Sequence, residues 1–272
     1  MRLQRGRSRA DTDSVNRDVR QAEPSDASRI EVDDPGRETA RIDGEREALA
    51  AGLGDVRESF ARWNRDPGAV VRVWLGTSML VGIALLLATW LLSLRIDPDT
   101  VEAIRTFDHL DPRSDAIHLV RRNSLVLLMH ALICFAGYMA LTSMPIVAQG
   151  YTGWKRTLHL AAGPIAIVFV TSMTISSFAL QAWTLGNAAP AIASAYGMGT
   201  AQLLALVSVH ALPELAAVFL PLGAWLVLAR RRAYEDLLAG SVFSTAVAIP
   251  LLVIAAITEV WVTPRLLELV AG

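Results

Sequence analysis

Five stretches of 22 to 29 residues carry only two formal charges between them. They cover residues 73–94, 124–148, 157–183, 201–229 and 239–262. At about 1.5 Å per helical residue, each reaches across a ~30 Å hydrocarbon core. Backbone groups in lipid have no water to bond with, so runs of this length must be α-helices. The short alternating segments of a barrel are absent. Trp74 and Trp90 sit near the ends of the first run, where indole rings favour the interface. The expected fold is all-α: a polytopic membrane protein with a bundle of about five transmembrane helices in residues 70–272.

The charges gather elsewhere. Of 25 basic and 26 acidic residues, 13 and 15 fall in the first 69. Residues 1–43 are polar, poor in large apolar side chains, and read as a disordered tail. The first 30 residues hold no apolar run, so no cleavable signal peptide is expected. A net charge of −1 argues against nucleic acid as a partner. The single cysteine, Cys134, excludes an intrachain disulfide and a cysteine zinc site.

Residues 44–69 read as an amphipathic juxtamembrane helix. Leu49, Leu53, Val56, Phe60 and Trp63 recur at spacings of four and three, which is one helical stripe. Pro67 and Gly68 then break the helix. The stripe suits the inner leaflet, a partner protein, or the chain's own cytoplasmic loops. In residues 95–123, Asp97 and Pro98 mark a helix start. Val101, Ile104 and Phe107 then face one way, as in a short helix on the outer surface. Residues 117–120 form a second amphipathic stretch before Asn123.

Arginine placement sets orientation. Arg57, Arg62, Arg65 and Arg72 precede the first run, Lys155 and Arg156 the third, and Arg230, Arg231 and Arg232 follow the fourth. The 185–200 segment has no charge and reads as a loop. The N-terminus is expected in the cytoplasm and the C-terminus outside, although five arginines in residues 95–123 count the other way.

Glu214 and Glu259 are the two charges within the runs. A charge at bilayer depth costs at least ~2.5–3.5 kcal/mol on insertion scales, so such groups face protein or water. His210 precedes Glu214 by four residues and shares its face. At ~1.5 Å per residue, His210 and Glu214 lie about 13 and 20 Å from the outer end of their run. That places Glu214 near the midplane. Glu259 and His130 lie about 5 and 9 Å from the outer ends of theirs. The candidate intramembrane polar cluster is therefore His210, Glu214, Glu259 and His130. Pro213, Pro221 and Pro250 interrupt their helices, and Thr263 and Pro264 are expected to end the fifth span. Three readings of the cluster stay open: a clamp between helices, a path for a proton, ion or small solute, and a metal or catalytic site. Catalysis lacks supporting motifs: no zincin helix, no nucleophile elbow and no phosphate loop. No metal or other cofactor is therefore expected.

The segment 209–222, "VHALPELAAVFLPL", resembles the His-Gly-x-x-Glu-x-x-Ala helix of the stage II sporulation protein M family. His210, Glu214 and Ala217 match, with Ala211 in place of the glycine. The segment 255–264, "AAITEVWVTP", is similar to that family's closing motif through Glu259, Thr263 and Pro264. Asn123, ahead of the second run, resembles its asparagine. The likeness covers residues 115–265. It implies a five-span protein of the bacterial inner membrane that anchors and scaffolds peptidoglycan-remodelling partners. The expected partners are the lipid bilayer and membrane or envelope proteins, with a homo-oligomer left open. The alternative is a channel or transporter working through the His/Glu cluster.

Overall fold

The computed structural model describes residues 35–96 and 112–271. The surface helix expected from Asp97, Pro98, Val101, Ile104 and Phe107 lies outside the described residues, as does most of the polar tail. Among the described residues every regular element is helical. Five helices are long and apolar enough to cross a membrane, so the chain is an all-α, multi-pass membrane protein.

Helix α1 (Pro35–Trp63) precedes α2 (Pro67–Ser93), the first crossing. Its start at Pro35 extends the juxtamembrane helix into residues expected to be tail. Asp66 caps α2 by accepting from the Ala69 N–H at 2.9 Å, and Pro67 occupies the first helical position, where no N–H is needed. The second crossing is α3 (Pro112–Tyr138), a π turn (Met139–Ser143) and α4 (Met144–Val147). The third is α5 (Gly153–Ala195), 43 residues long. Thus residues 185–195, expected in a loop, are helical. Pro190 did not stop the helix, and the neighbouring alanines favour it.

The fourth run divides at Phe219 into α6 (Thr200–Val218) and α7 (Leu220–Arg230). Pro221 lacks the N–H that would bond the Ala217 carbonyl. The fifth is α8 (Leu237–Ile257), a π turn (Thr258–Val262) and α9 (Thr263–Ala271). Thr263 and Pro264 therefore open a helix instead of closing one.

Both π turns share a cause. Pro145 and Pro264 are the second residues of α4 and α9. Each lacks the N–H for the carbonyl four residues back and collides with it. One inserted residue per turn shifts the ladder to i→i+5: the Thr263 N–H bonds the Thr258 carbonyl.

The core runs along α2, α3, α6, α7 and α8, with Leu85, Phe219, Leu220, Leu237 and Leu252 essentially inaccessible. Helix α5 is peripheral: only 6% of its most apolar window is buried, against 44% for the second crossing. Small residues let backbones approach, as membrane helices require. A Cβ on Gly223 would collide with Ser78 Oγ and stand 2.7 Å from the Trp74 carbonyl. A smaller core of Ala189, Ala193, Leu203 and Leu267 closes the end away from α1.

Helix α1 lies across the near end of the bundle with only part of its apolar stripe inward. Ala48, Gly52 and Ser59 are buried, while Leu49 and Leu53 are 67% and 65% exposed. Of the apolar stripe, Val56, Phe60 and Trp63 are half-buried. Phe60 and Trp63 stack edge-on with Phe243 and Trp74 at 5.1 to 6.0 Å. Polar bonds set the rotation. Ser59 Oγ donates to Asp236 at 2.5 Å, Arg62 pairs with Asp236, and Tyr138 donates to Asp55 at 3.0 Å.

Two outcomes follow from this packing. Gly223→Ala should lower stability by about 1–3 kcal/mol, the usual overpacking range, whereas Gly76→Ala, whose Cβ meets nothing within 4 Å, should not. Thermal unfolding in detergent compares them. Asp236→Ala should free α1, read as faster proteolytic cleavage between residues 35 and 66 with the crossing helices left intact.

Candidate functional site

The polar cluster forms at the end of the bundle away from α1, where α3, α6 and the second π turn converge. Asn123 stands twelve residues into α3 (Pro112–Tyr138). Its side-chain amide donates to the Glu214 carboxylate on α6. The Glu259 carboxyl group, which the π turn carries, faces the Glu214 carboxyl group. Arg122, next to Asn123, acts electrostatically on both glutamates. An amide donor and a cation beside the acids are what carboxyl groups at bilayer depth require. Both glutamates are half-buried.

Glu214 also differs in depth from the sequence estimate. Its partner Asn123 stands at the start of the second apolar run, so Glu214 lies at that level and not near the midplane. The estimate measured from Ala201, but the first turns of α6 extend outward beside residues 186–195 and α9. The 29-residue run is longer than a crossing needs.

His210, one turn outward from Glu214, is buried. Its Nδ1 stands 2.7 Å from Thr263 Oγ1, and the same oxygen lies 3.3 Å from the Thr258 carbonyl. Residues from α6, the π turn and α9 are therefore joined a second time. Pro213 lies between His210 and Glu214 inside α6. Ala217 is inaccessible, in the core layer beneath the acids. Pro264 shapes the π turn that presents Glu259.

His130 takes no part in these bonds. Its Nδ1 donates to the Val126 carbonyl of its own helix at 2.8 Å, because a carbonyl can only accept. Nε2 is buried without a hydrogen-bond partner among the described residues. The ring stands edge-on to Phe219 with centroids 5.0 Å apart. It belongs to the core at the α6–α7 break. There the Phe219 carbonyl, beside the break, accepts from Ser78 Oγ at 3.1 Å, and Cys134 Sγ reaches the Pro221 carbonyl at 3.3 Å. Among the described residues no three His, Cys, Asp or Glu side chains gather as a metal-binding group.

Arg122 and the pairing roles of Asn123 and Thr263 escaped the sequence reading. Asn123 and Thr263 stood out only as motif residues, and Arg122 only as a loop charge. One signal pointed at them: each lies within a turn or so of the level of an intramembrane acid, on a different span. The fold and site together define a helical, multi-pass membrane protein with two facing carboxyl groups and an asparagine between spans. No family model, no curated protein and no solved structure matches the chain.

The bonding pattern sets a ranking among substitutions. Thr263→Val keeps the shape and removes the hydroxyl opposite His210. It should cost about 0.6–1.7 kcal/mol, the span measured for hydrogen bonds between membrane helices. Glu214→Gln retains a donor for Glu259 and should be milder than Glu214→Leu, which strands Asn123 and Glu259 at about 1–3 kcal/mol. Unfolding in mixed micelles reads the order, and a Glu214→Leu protein as stable as wild type would contradict it.

Proposed function

We propose that this chain is a scaffold of the bacterial inner membrane, resembling the stage II sporulation protein M family, that anchors envelope partners acting on peptidoglycan. The observation that carries the reading is how the intramembrane polar groups are used. Asn123 bonds to Glu214, Glu259 faces Glu214, and His210 bonds to Thr263. Groups so engaged tie α3, α6, α8 and α9 into one register, and a rigid platform needs that. Solute transport calls instead for polar groups that exchange partners along a path.

The arginine distribution supports an orientation with α1 in the cytoplasm and α9 outside. Residues 112–123 and α9 then face the envelope, where a peptidoglycan-remodelling partner works. The exposed Leu49 and Leu53 face the cytoplasmic side or the inner leaflet.

Two measurements on the full chain separate scaffold from conduit. In-membrane crosslinking from residues 112–120 and α9 in the native host should recover a defined envelope protein. Purified protein in proteoliposomes should show no proton or solute flux above lipid alone. Flux that disappears in Glu214→Gln, together with no crosslinked partner, overturns the scaffold in favour of a channel or transporter.

A further inference from the structure

We infer that the α1 end of the bundle carries a binding site for an anionic phospholipid, with Arg231 taking the phosphate. A cavity of about 210 Å³ opens there between α1, the start of α2 and the end of α7. Its walls include Trp63, Val70, Val73, Trp74 and Leu228, and Arg231 stands on its rim. A second hollow of about 310 Å³ lies on the other side of Trp63, against Phe60, Pro67 and Phe243. Both sit where the first crossing begins and the fourth ends. That is the headgroup level, where tryptophan rings concentrate.

Charge selects the ligand. Asp236 also lines the first cavity, but one of its oxygens is held by Ser59 and Arg62, and the Arg62 cation balances its charge. Asp66 is engaged with the Ala69 N–H. Arg231 has no such partner among the described residues. Its main chain ends α7, and Arg230 and Arg232 flank it in sequence. Arg232 adopts the left-handed conformation, φ 57°, which turns the chain sharply after Arg231. An apolar hollow beside an unpaired guanidinium, at a membrane border, matches a phosphate ester with hydrocarbon attached. Basic pockets between membrane helices hold acidic headgroups in this way. The first cavity is below the ~300–1,000 Å³ of pockets that enclose a whole small molecule. It therefore receives the glycerol and first methylenes, while the chains continue along Val73, which is 44% exposed, into the bilayer.

Native mass spectrometry of the full chain tests the site, with dioleoyl phosphatidylglycerol and dioleoyl phosphatidylcholine offered in equal amounts. Wild type should retain the glycerol lipid over the choline lipid by about fivefold, the factor one basic residue contributes at an anionic surface. Arg231→Gln should bring the ratio to unity. Val73→Trp, which fills the cavity and keeps the charge, should lower retention of the glycerol lipid as well. Arg156→Gln, at the same end but on α5, should leave the ratio unchanged. Helical circular dichroism equal to wild type qualifies each variant. Equal retention of the two lipids by wild type overturns the proposal. So does an equal fall in Arg156→Gln and Arg231→Gln, which means diffuse attraction with no pocket. Displacement of the lipid by an equimolar amount of glycerol 3-phosphate or inorganic phosphate also overturns it, because the site would then be one for a free phosphate.

Discussion

A carboxyl group placed among lipid chains must find a proton, a cation or a hydrogen-bond donor, and this requirement organises one whole end of the molecule. Glu214 and Glu259 meet two of these conditions together. Asn123 donates to Glu214, and Arg122 lies close enough to act on both. Hydrogen bonds between membrane helices contribute only ~0.6 kcal/mol on average. The gain from assembling such a set is therefore small, and the penalty for breaking it is large, because each partner is left unmatched. An arrangement with that asymmetry specifies register more than it adds stability. Helices α3, α6 and α8 are free to pack in many rotations through apolar contacts. Only one rotation brings Asn123, Glu214 and Glu259 together.

Backbone groups obey the same rule, and the prolines show how the chain complies. Pro264 removes a donor just beyond the acid pair. The ladder answers with a π turn, and that turn holds Glu259 and ends at Thr263, which reaches His210. Pro221 removes another donor in mid-membrane, where Ser78 supplies a hydroxyl to the Phe219 carbonyl from α2. Beside both breaks a side chain reaches another helix: Ser78 the Phe219 carbonyl, and Thr263 the ring of His210. A proline that is unfavourable within its own helix thereby becomes a point of contact between helices.

These rules also decide what could be read before the structure. The five crossings were legible because charge is costly in lipid, so its absence over 22 residues or more has one reading. The two acids were legible for the same reason. Depth was not, since the start of an apolar run need not mark the edge of the hydrocarbon. Residues 186–195 and the first turns of α6 pack on α9 and Leu267, which keeps apolar side chains out of water without lipid. The stretch 185–195 looked like a loop through Gly186, Asn187 and Pro190. Yet Gly186 is buried where a Cβ would stand 2.9 Å from Leu92 Cβ, and so serves packing. Helix α1 shows what periodicity leaves open. Its apolar stripe suited the inner leaflet, a partner or the chain's own loops, and the structure divides it: Phe60 and Trp63 pack on Phe243 and Trp74, while Leu49 and Leu53 stay exposed. Asp236, a buried acid at the base of α8, holds Ser59 and Arg62 against the bundle. Hydrophobic periodicity reports where apolar side chains lie, and a buried charge on a neighbour can outweigh it.

Helix α8 connects the two polar assemblies. Asp236 immediately precedes it and Glu259 follows it, 23 residues on, or about 34 Å at the helical rise. Between them most of its inward face is small: Gly240, Ser244, Ala248, Ala255 and Ala256 are buried, with Leu252 the one large side chain among them beyond Leu237 at the helix start. Small residues bring α8 close to its neighbours and leave little play along its length. One end is fixed by an acid paired with arginine near the membrane border, where salt weakens the pair. The other is fixed by the Asn123–Glu214 bond with Glu259 beside it. A strut held by two unlike anchors has one end whose hold depends on ionic strength. Helix α1 is fastened at the end that can be loosened, and so it is the part of this bundle best placed to move while the crossings stay in register.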